Sequence, residues 1–268
     1  MELADDIRKR GFKKWYERQL IASHAYLATC FLGGEMRARP DDVLIGDRRE
    51  LVAGLVVLAI AFVLDRLSPM WGQIAAGVAL WAFGLRVLSH ASGLRRRMLF
   101  AVLVWAGAGE LFCSLAWGLY TYRLGNIPHF VPPGHLVVFM LGLQLARAVT
   151  PVAADRLTAA YAVLVACVAV FLGDEFSVFL FAVYLLVYRL KPDLRPVLAT
   201  MFLVTLALEL VGTTLGTWAW APRAPVLGLT TTNPPFSVAA FYCVLDTLVF
   251  LTIASRFQRF VALKLSTR

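Results

Sequence analysis

Charge is what this chain has least of. Only 16% of its 268 residues are Asp, Glu, Lys or Arg, 60% come from the apolar and aromatic set, and the mean hydropathy is +0.72. Soluble chains carry about 25% charged residues, so a water-soluble domain with a polar skin is excluded. Cysteine is scarce: Cys30, Cys113, Cys167 and Cys243 stand singly in apolar stretches with no CxxC pair, which excludes a disulfide framework or a zinc site and leaves packing roles. His24, His90, His129 and His135 show no HxxH or HxxxH spacing, so no metal site is expected. GxSxG, Walker and dinucleotide fingerprints are absent too, and no cofactor is expected.

What is present is a series of apolar runs about as long as the roughly 17 to 25 residues a bilayer core requires. They predict spans near 51–67, 71–88, 98–120, 135–150, 157–173, 176–190, 196–217 and 236–255. The net charge of +9 is read as topology rather than as a nucleic-acid footprint, because basic residues collect on the cytoplasmic side of multi-pass proteins. With a cytoplasmic N-terminus, 22 of the 26 Lys and Arg fall on that side. Both termini are therefore expected in the cytoplasm and the chain in the inner (plasma) membrane, with the lipid bilayer and an apolar lipid substrate as partners and no nucleic acid.

Residues 20–33 follow a basic, aromatic segment, Phe12-Lys13-Lys14-Trp15-Tyr16, and hold an imperfect lipoprotein-like box, Leu27-Ala28-Thr29-Cys30. A crossing there would invert every later loop and place Arg95, Arg96 and Arg97 outside, so an amphipathic interfacial helix is expected instead. The fold class is thus an all-α polytopic bundle of eight transmembrane helices plus that N-terminal helix. Residues 1–50 form a cytoplasmic or interfacial segment, 51–255 one transmembrane domain, and 256–268 a basic cytoplasmic tail.

A repeated pattern carries the functional information. Glu110 is followed by Gly118 and then Tyr120-x-Tyr122; Glu209 is followed by Gly216 and then Trp218-x-Trp220. Each copy leads into a loop with Arg123 or Arg223 and a proline pair, Pro132-Pro133 or Pro234-Pro235. The glutamates are 99 residues apart with four spans per copy, which predicts two parallel four-helix repeats, about 51–150 and 157–255. Continuous helices would set each glutamate near mid-span and its aromatic pair about 12 to 18 Å further along, at the outer interface. Aromatics there serve either as an interfacial belt or as a collar over the acids, and the glycines suit close packing.

A charged side chain at mid-bilayer costs roughly 2.5 to 3.5 kcal/mol, and Gln would supply a hydrogen bond for less. Desolvation favours the neutral carboxylic acid, which suits Glu110 and Glu209 as the catalytic acid–base pair. Further candidates are Asp246 with Tyr242 one turn before it, an Asp246–Arg147 pair, Gln144, and His129 and His135 beside the first proline pair, placed to line an opening or orient a polar group. Asp174-Glu175 and Asp65-Arg66 fall at expected turns and read as solvated.

The run from Glu110 to Tyr122 with Leu124-Gly125 and Val131-Pro132 resembles the membrane-bound carotenoid biosynthesis family that includes carotenoid hydratases. The second copy, Trp218-x-Trp220 with Gly228 and Asn233-Pro234, is similar to that family's later signature. The resemblance covers residues 98–255; His135 stands where the family has an apolar or Trp-containing element, and the Pro/Asn order near 233 differs. It implies hydration of a terminal isoprenoid double bond: a neutral Glu protonates the alkene and water adds to the tertiary cation. Tyr120, Tyr122, Trp218 and Trp220 would stabilise that cation by roughly 0.5 to 2 kcal/mol each, with the second Glu positioning water; beside the resemblance, His135, Asn233, Tyr242 and Asp246 are this chain's own candidates for binding the substrate. Two other classes stay open from the residues alone: a proton-coupled transporter or flippase, and a structural or assembly subunit whose glutamates bond across helices.

Overall fold

The computed structural model describes residues 45–253; the expected interfacial helix at 20–33, the basic tail and His24 lie outside the described residues. Among the described residues there are eight α-helices: α1 (Arg48–Leu67), α2 (Pro69–His90), α3 (Gly93–Glu110), α4 (Val131–Ala146), α5 (Pro151–Leu172), α6 (Glu175–Leu190), α7 (Arg195–Thr214) and α8 (Ala239–Ile253). A π-helical turn, Leu111–Ala116, prolongs α3. Two short strands, β1 (Tyr120–Tyr122) and β2 (Trp218–Trp220), follow the π-turn and α7.

Local sequence sets the boundaries. Asp47, Ser92 and Thr150 cap α1, α3 and α5 by accepting from Arg49 N, Arg95 N and Ala153 N, satisfying first-turn N–H groups that have no helical partner. Four helical segments, Met70–His90, Gly93–Ala116, Pro151–Leu172 and Pro192–Thr214, are long and apolar enough to cross a membrane. α4 and α8 are shorter apolar helices of 16 and 15 residues. Large apolar side chains stand exposed along the outer faces, among them Val56, Val63, Val78, Val163, Val170 and Phe171. A soluble surface seldom carries so continuous an apolar coat, whereas lipid tails solvate it.

The core is a ring of four helices: α3 packs on α4 and α8, and α7 packs on the same two. α4 is buried on nearly every side, as expected for a helix that is apolar all round. α1 and α2 pair with each other outside this ring, α1 reaching it through α4, while α5 and α6 lean on α7 and α8. Although α3 and α6 both pack on α8, they do not form an interface with each other, and a crevice runs between them.

The largest departure from the sequence reading follows Glu110. The expected span 98–120 is not a continuous helix: α3 gives way to the π-turn, closed by Trp117 N donating to Phe112 O at 2.8 Å, and Gly118 then turns the chain at φ +74°. Gly216 does the same after α7 at φ +69°. Both lie in the left-handed region where glycine carries no Cβ penalty. β1 and β2 fold back and pair antiparallel, Tyr120 opposite Trp220 and Tyr122 opposite Trp218. Alternation along a strand puts all four rings on one buried face.

Candidate functional site: two hydrogen-bonded glutamates in an apolar chamber

Each helix of the central ring gives the site one polar residue: Glu110 from α3, His135 from α4, Glu209 from α7 and Tyr242 from α8. Both glutamates are buried, at 5% exposure each. Glu110 Oε2 accepts from the hydroxyls of Tyr120 and Tyr122 at 2.8 and 2.7 Å, and its Oε1 lies 3.2 Å from His135 Nε2. Glu209 Oε2 accepts from the indole N–H groups of Trp218 and Trp220 at 2.7 and 3.0 Å, and its Oε1 accepts from Tyr242 at 2.9 Å. Each acid thus has two ring donors from its own strand and one partner from the helix after its loop. Those two partners, His135 and Tyr242, stack at 5.0 Å with 17° between ring planes. Across the strands Tyr120 lies 4.8 Å from Trp220.

The strands have their own supports. Asn233 Oδ1 accepts from Trp220 N at 3.0 Å, so Asn233 positions β2 from the surface rather than lining the chamber. Ser114 donates to Tyr120 O at 3.2 Å. Gly212 makes room for Trp218: a Cβ there would lie 2.0 Å from the indole. Gly212→Ala is therefore expected to push Trp218 off Glu209 and cost about 1–3 kcal/mol as an overpacked contact, read as a lower Tm and a lost near-UV signal. Gly109→Ala, whose Cβ would meet only the tip of Leu245 at 3.2 Å, is the tolerated control.

Three voids meet around the four polar residues. The largest, about 530 Å³, fills the crevice between α3 and α6; Trp105, Trp117, Phe179, Val183 and Phe241 wall it, and both glutamates, Tyr120 and Trp220 face it. Phe112 and Phe179, half exposed, stand at its edge. The second, about 30 Å³, lies on the Tyr122 and Trp218 side and also touches both glutamates, with Phe62 and Leu208 behind it. Such a space suits a water molecule or two. The third, about 10 Å³, sits between His135, Tyr242 and Asp246.

Several expectations are corrected here. Tyr122 and Trp220 are buried hydrogen-bond donors, not an interfacial belt, because the strand turn brings them back to the acids. Trp117 donates to Pro225 O at 2.8 Å and walls the large cavity. Arg147 is exposed while Asp246, at 5% exposure, leaves its Oδ2 without a partner, so the two do not pair. Asp174 and Asp65, read as solvated, are fully buried. Asp174 caps α6 and accepts from Thr232 and from Phe236 N, tying the second loop down. Asp65 accepts from Gln73 and pairs with Arg123 at 3.2 Å, anchoring the first loop. His135 belongs to the carboxylate network and not to an outer opening. His129 contributes its carbonyl to Trp81 Nε1, and burial lowers its imidazole's proton affinity. Among the described residues no cluster of three metal-binding side chains occurs.

The fold and site define a helical protein with spans fit for a membrane and a buried pair of carboxylates bordering an apolar cavity. No known protein family, curated protein or solved structure matches the chain.

Proposed function

We propose that the chain is an eight-span membrane enzyme, built from two parallel four-helix repeats, that adds water across a terminal double bond of an isoprenoid-like lipid taken from the bilayer. The observation that carries this reading is the pair of buried glutamates facing one roughly 530 Å³ apolar cavity that opens between α3 and α6. A long apolar substrate enters such a crevice sideways from lipid and needs no aqueous vestibule. The matching partners of Glu110 and Glu209, strand donors plus one residue from the next helix, support the duplication.

The partners also divide the labour. Indole N–H groups only donate, so Trp218 and Trp220 hold Glu209 as an acceptor and cannot pass it a proton. His135 can both take and give one, so Glu110 is the acid that is recharged. In the proposed reaction Glu110 protonates the alkene, Tyr120 and Trp220 present their faces to the resulting cation, and Glu209 orients a water and removes its proton as it adds. The water waits in the 30 Å³ void that both glutamates touch. The test is incubation of the protein in lipid vesicles with an acyclic polyene carotene, followed by mass spectrometry. A gain of one water is expected, and unchanged lipid would overturn the reading. Val183→Trp, which fills the crevice without touching either acid, is expected to cut conversion about 10²-fold by misplacing the chain.

A proton-coupled transporter is the second reading, and the change from α- to π-helical winding directly after Glu110 is the observation that favours it. It predicts flux that follows a proton gradient with no chemical change in the lipid.

A further inference from the structure

Asp246 has no role in the chemistry above, yet it is a buried carboxylate in the middle of α8 with one oxygen unpartnered. A buried acceptor left unmet costs about 1–3 kcal/mol, so either the chain tolerates a pure penalty or the oxygen has an unseen partner. The geometry favours a partner. Asp246 lines a void of about 10 Å³, the space of one water, whose other polar walls are His135 from α4 and Tyr242 from the preceding turn of α8. Val102 and Ala106 of α3, Val138 and Phe139 of α4, Met201 of α7, and Leu245 and Val249 of α8 complete it, and no Lys or Arg reaches it. The titratable groups around Asp246 are thus His135, Tyr242 and its helix neighbour Cys243, with Glu110 and Glu209 one hydrogen bond further on. His135 uses Nε2 on Glu110, which leaves Nδ1 as its second hydrogen-bonding atom. The Tyr242 hydroxyl is already committed to Glu209.

We propose that this void holds one water bound between Asp246 and His135, and that protons pass from Asp246 through the water and His135 to Glu110. The relay deepens the hydratase reading, and it rests on that reading only for its purpose. In each cycle His135 takes a proton at Nδ1 from the water and gives one at Nε2 to Glu110, replacing the proton delivered to the alkene. The proton lost by the adding water goes to Glu209, so with one proton supplied from Asp246 and one gained by Glu209 the sum is alkene plus water giving alcohol. The cycle closes when Glu209 gives up that proton and Asp246 regains one, so no net proton is consumed.

The test needs no substrate. Full-length protein in lipid nanodiscs, wild type, Asp246→Asn and Asp246→Leu, is measured in two ways. Infrared spectra in H2O and H2(18O) report a bound water through an isotope-shifted O–H band. Nitrogen-15 histidine NMR reports exchange of the His135 ring protons with D2O. Asn keeps a ligand for the water but cannot carry the proton; Leu removes both. The band is expected in wild type and Asp246→Asn and lost in Asp246→Leu. Exchange at His135 is expected to slow about tenfold in both variants, as loss of one hydrogen-bonded link implies. A band that persists in Asp246→Leu, or exchange unchanged in Asp246→Asn, overturns the proposal. Absence of carotene conversion in wild type, with exchange still governed by Asp246, would instead sink the hydratase reading and leave the relay standing.

Discussion

Glu110→Gln is expected to lower conversion of the carotene by about 10² to 10⁴-fold, the contribution of a positioned general acid, while leaving folding intact. The hydrogen-bond inventory explains why the change is so selective. Tyr120 and Tyr122 both donate to one oxygen of Glu110, and an amide oxygen has two lone pairs to receive them. The amide nitrogen then faces His135 Nε2, which accepts when the imidazole is neutral. Every partner stays satisfied, and the only thing removed is a proton that can leave. Thermal unfolding should shift by less than the activity does, and lipid mass spectrometry should show substrate bound but unhydrated. Full activity in Glu110→Gln would exclude Glu110 as the acid. Tyr120→Phe offers a graded companion: it deletes one donor and keeps the ring at 4.8 Å from Trp220, so a smaller loss is expected.

The acids themselves were legible in the sequence because a mid-span glutamate is expensive and rarely idle. Their pairing with Tyr120, Tyr122, Trp218 and Trp220 was legible only as proximity along the chain. The aromatic-x-aromatic spacing is the period-two signature of a strand, and a glycine stands two residues before each pair. Inside long apolar runs, however, three-residue strands are too short to announce themselves against a helical background. A helix run straight on instead displaces the rings by about three turns. The π-turn after Glu110 has no compositional mark at all, since Leu111–Ala116 is ordinary helical sequence. His135 was visible as a polar residue beside a proline pair, but its place became clear only when α4 was seen packed against α3. Asp65 and Asp174 were misread for one reason: a charged residue at a helix junction is usually solvated, and here each instead gathers the donors of a returning loop. The loops carry the strands, so these two aspartates hold the site indirectly.

The two halves of the site differ in chemistry although they share a geometry, and Glu209 is where the difference has the largest structural consequence. Glu209→Leu is expected to destabilise the protein by about 3–9 kcal/mol, because three buried donors lose their acceptor at about 1–3 kcal/mol each. That is a large share of the 5–15 kcal/mol typical of a folded domain, so reduced yield and a sharply lower Tm are the measurable outcomes. Glu209→Gln should cost much less, about 1–3 kcal/mol, since its carbonyl oxygen still serves both indoles and only the Tyr242 hydroxyl hydrogen loses its acceptor. The contrast separates the acid as a structural acceptor from the acid as a base for water. If the loss in Glu209→Leu comes from stranded donors, then adding Trp218→Phe, Trp220→Phe and Tyr242→Phe should recover part of the lost Tm, a non-additivity expected of residues that share one network. A Glu209→Leu protein as stable as wild type would mean that water reaches these groups and that the chamber is wet. Activity follows the other axis: Glu209→Gln is expected to lose about 10²-fold, since the amide neither orients the adding water as the carboxylate does nor takes its proton.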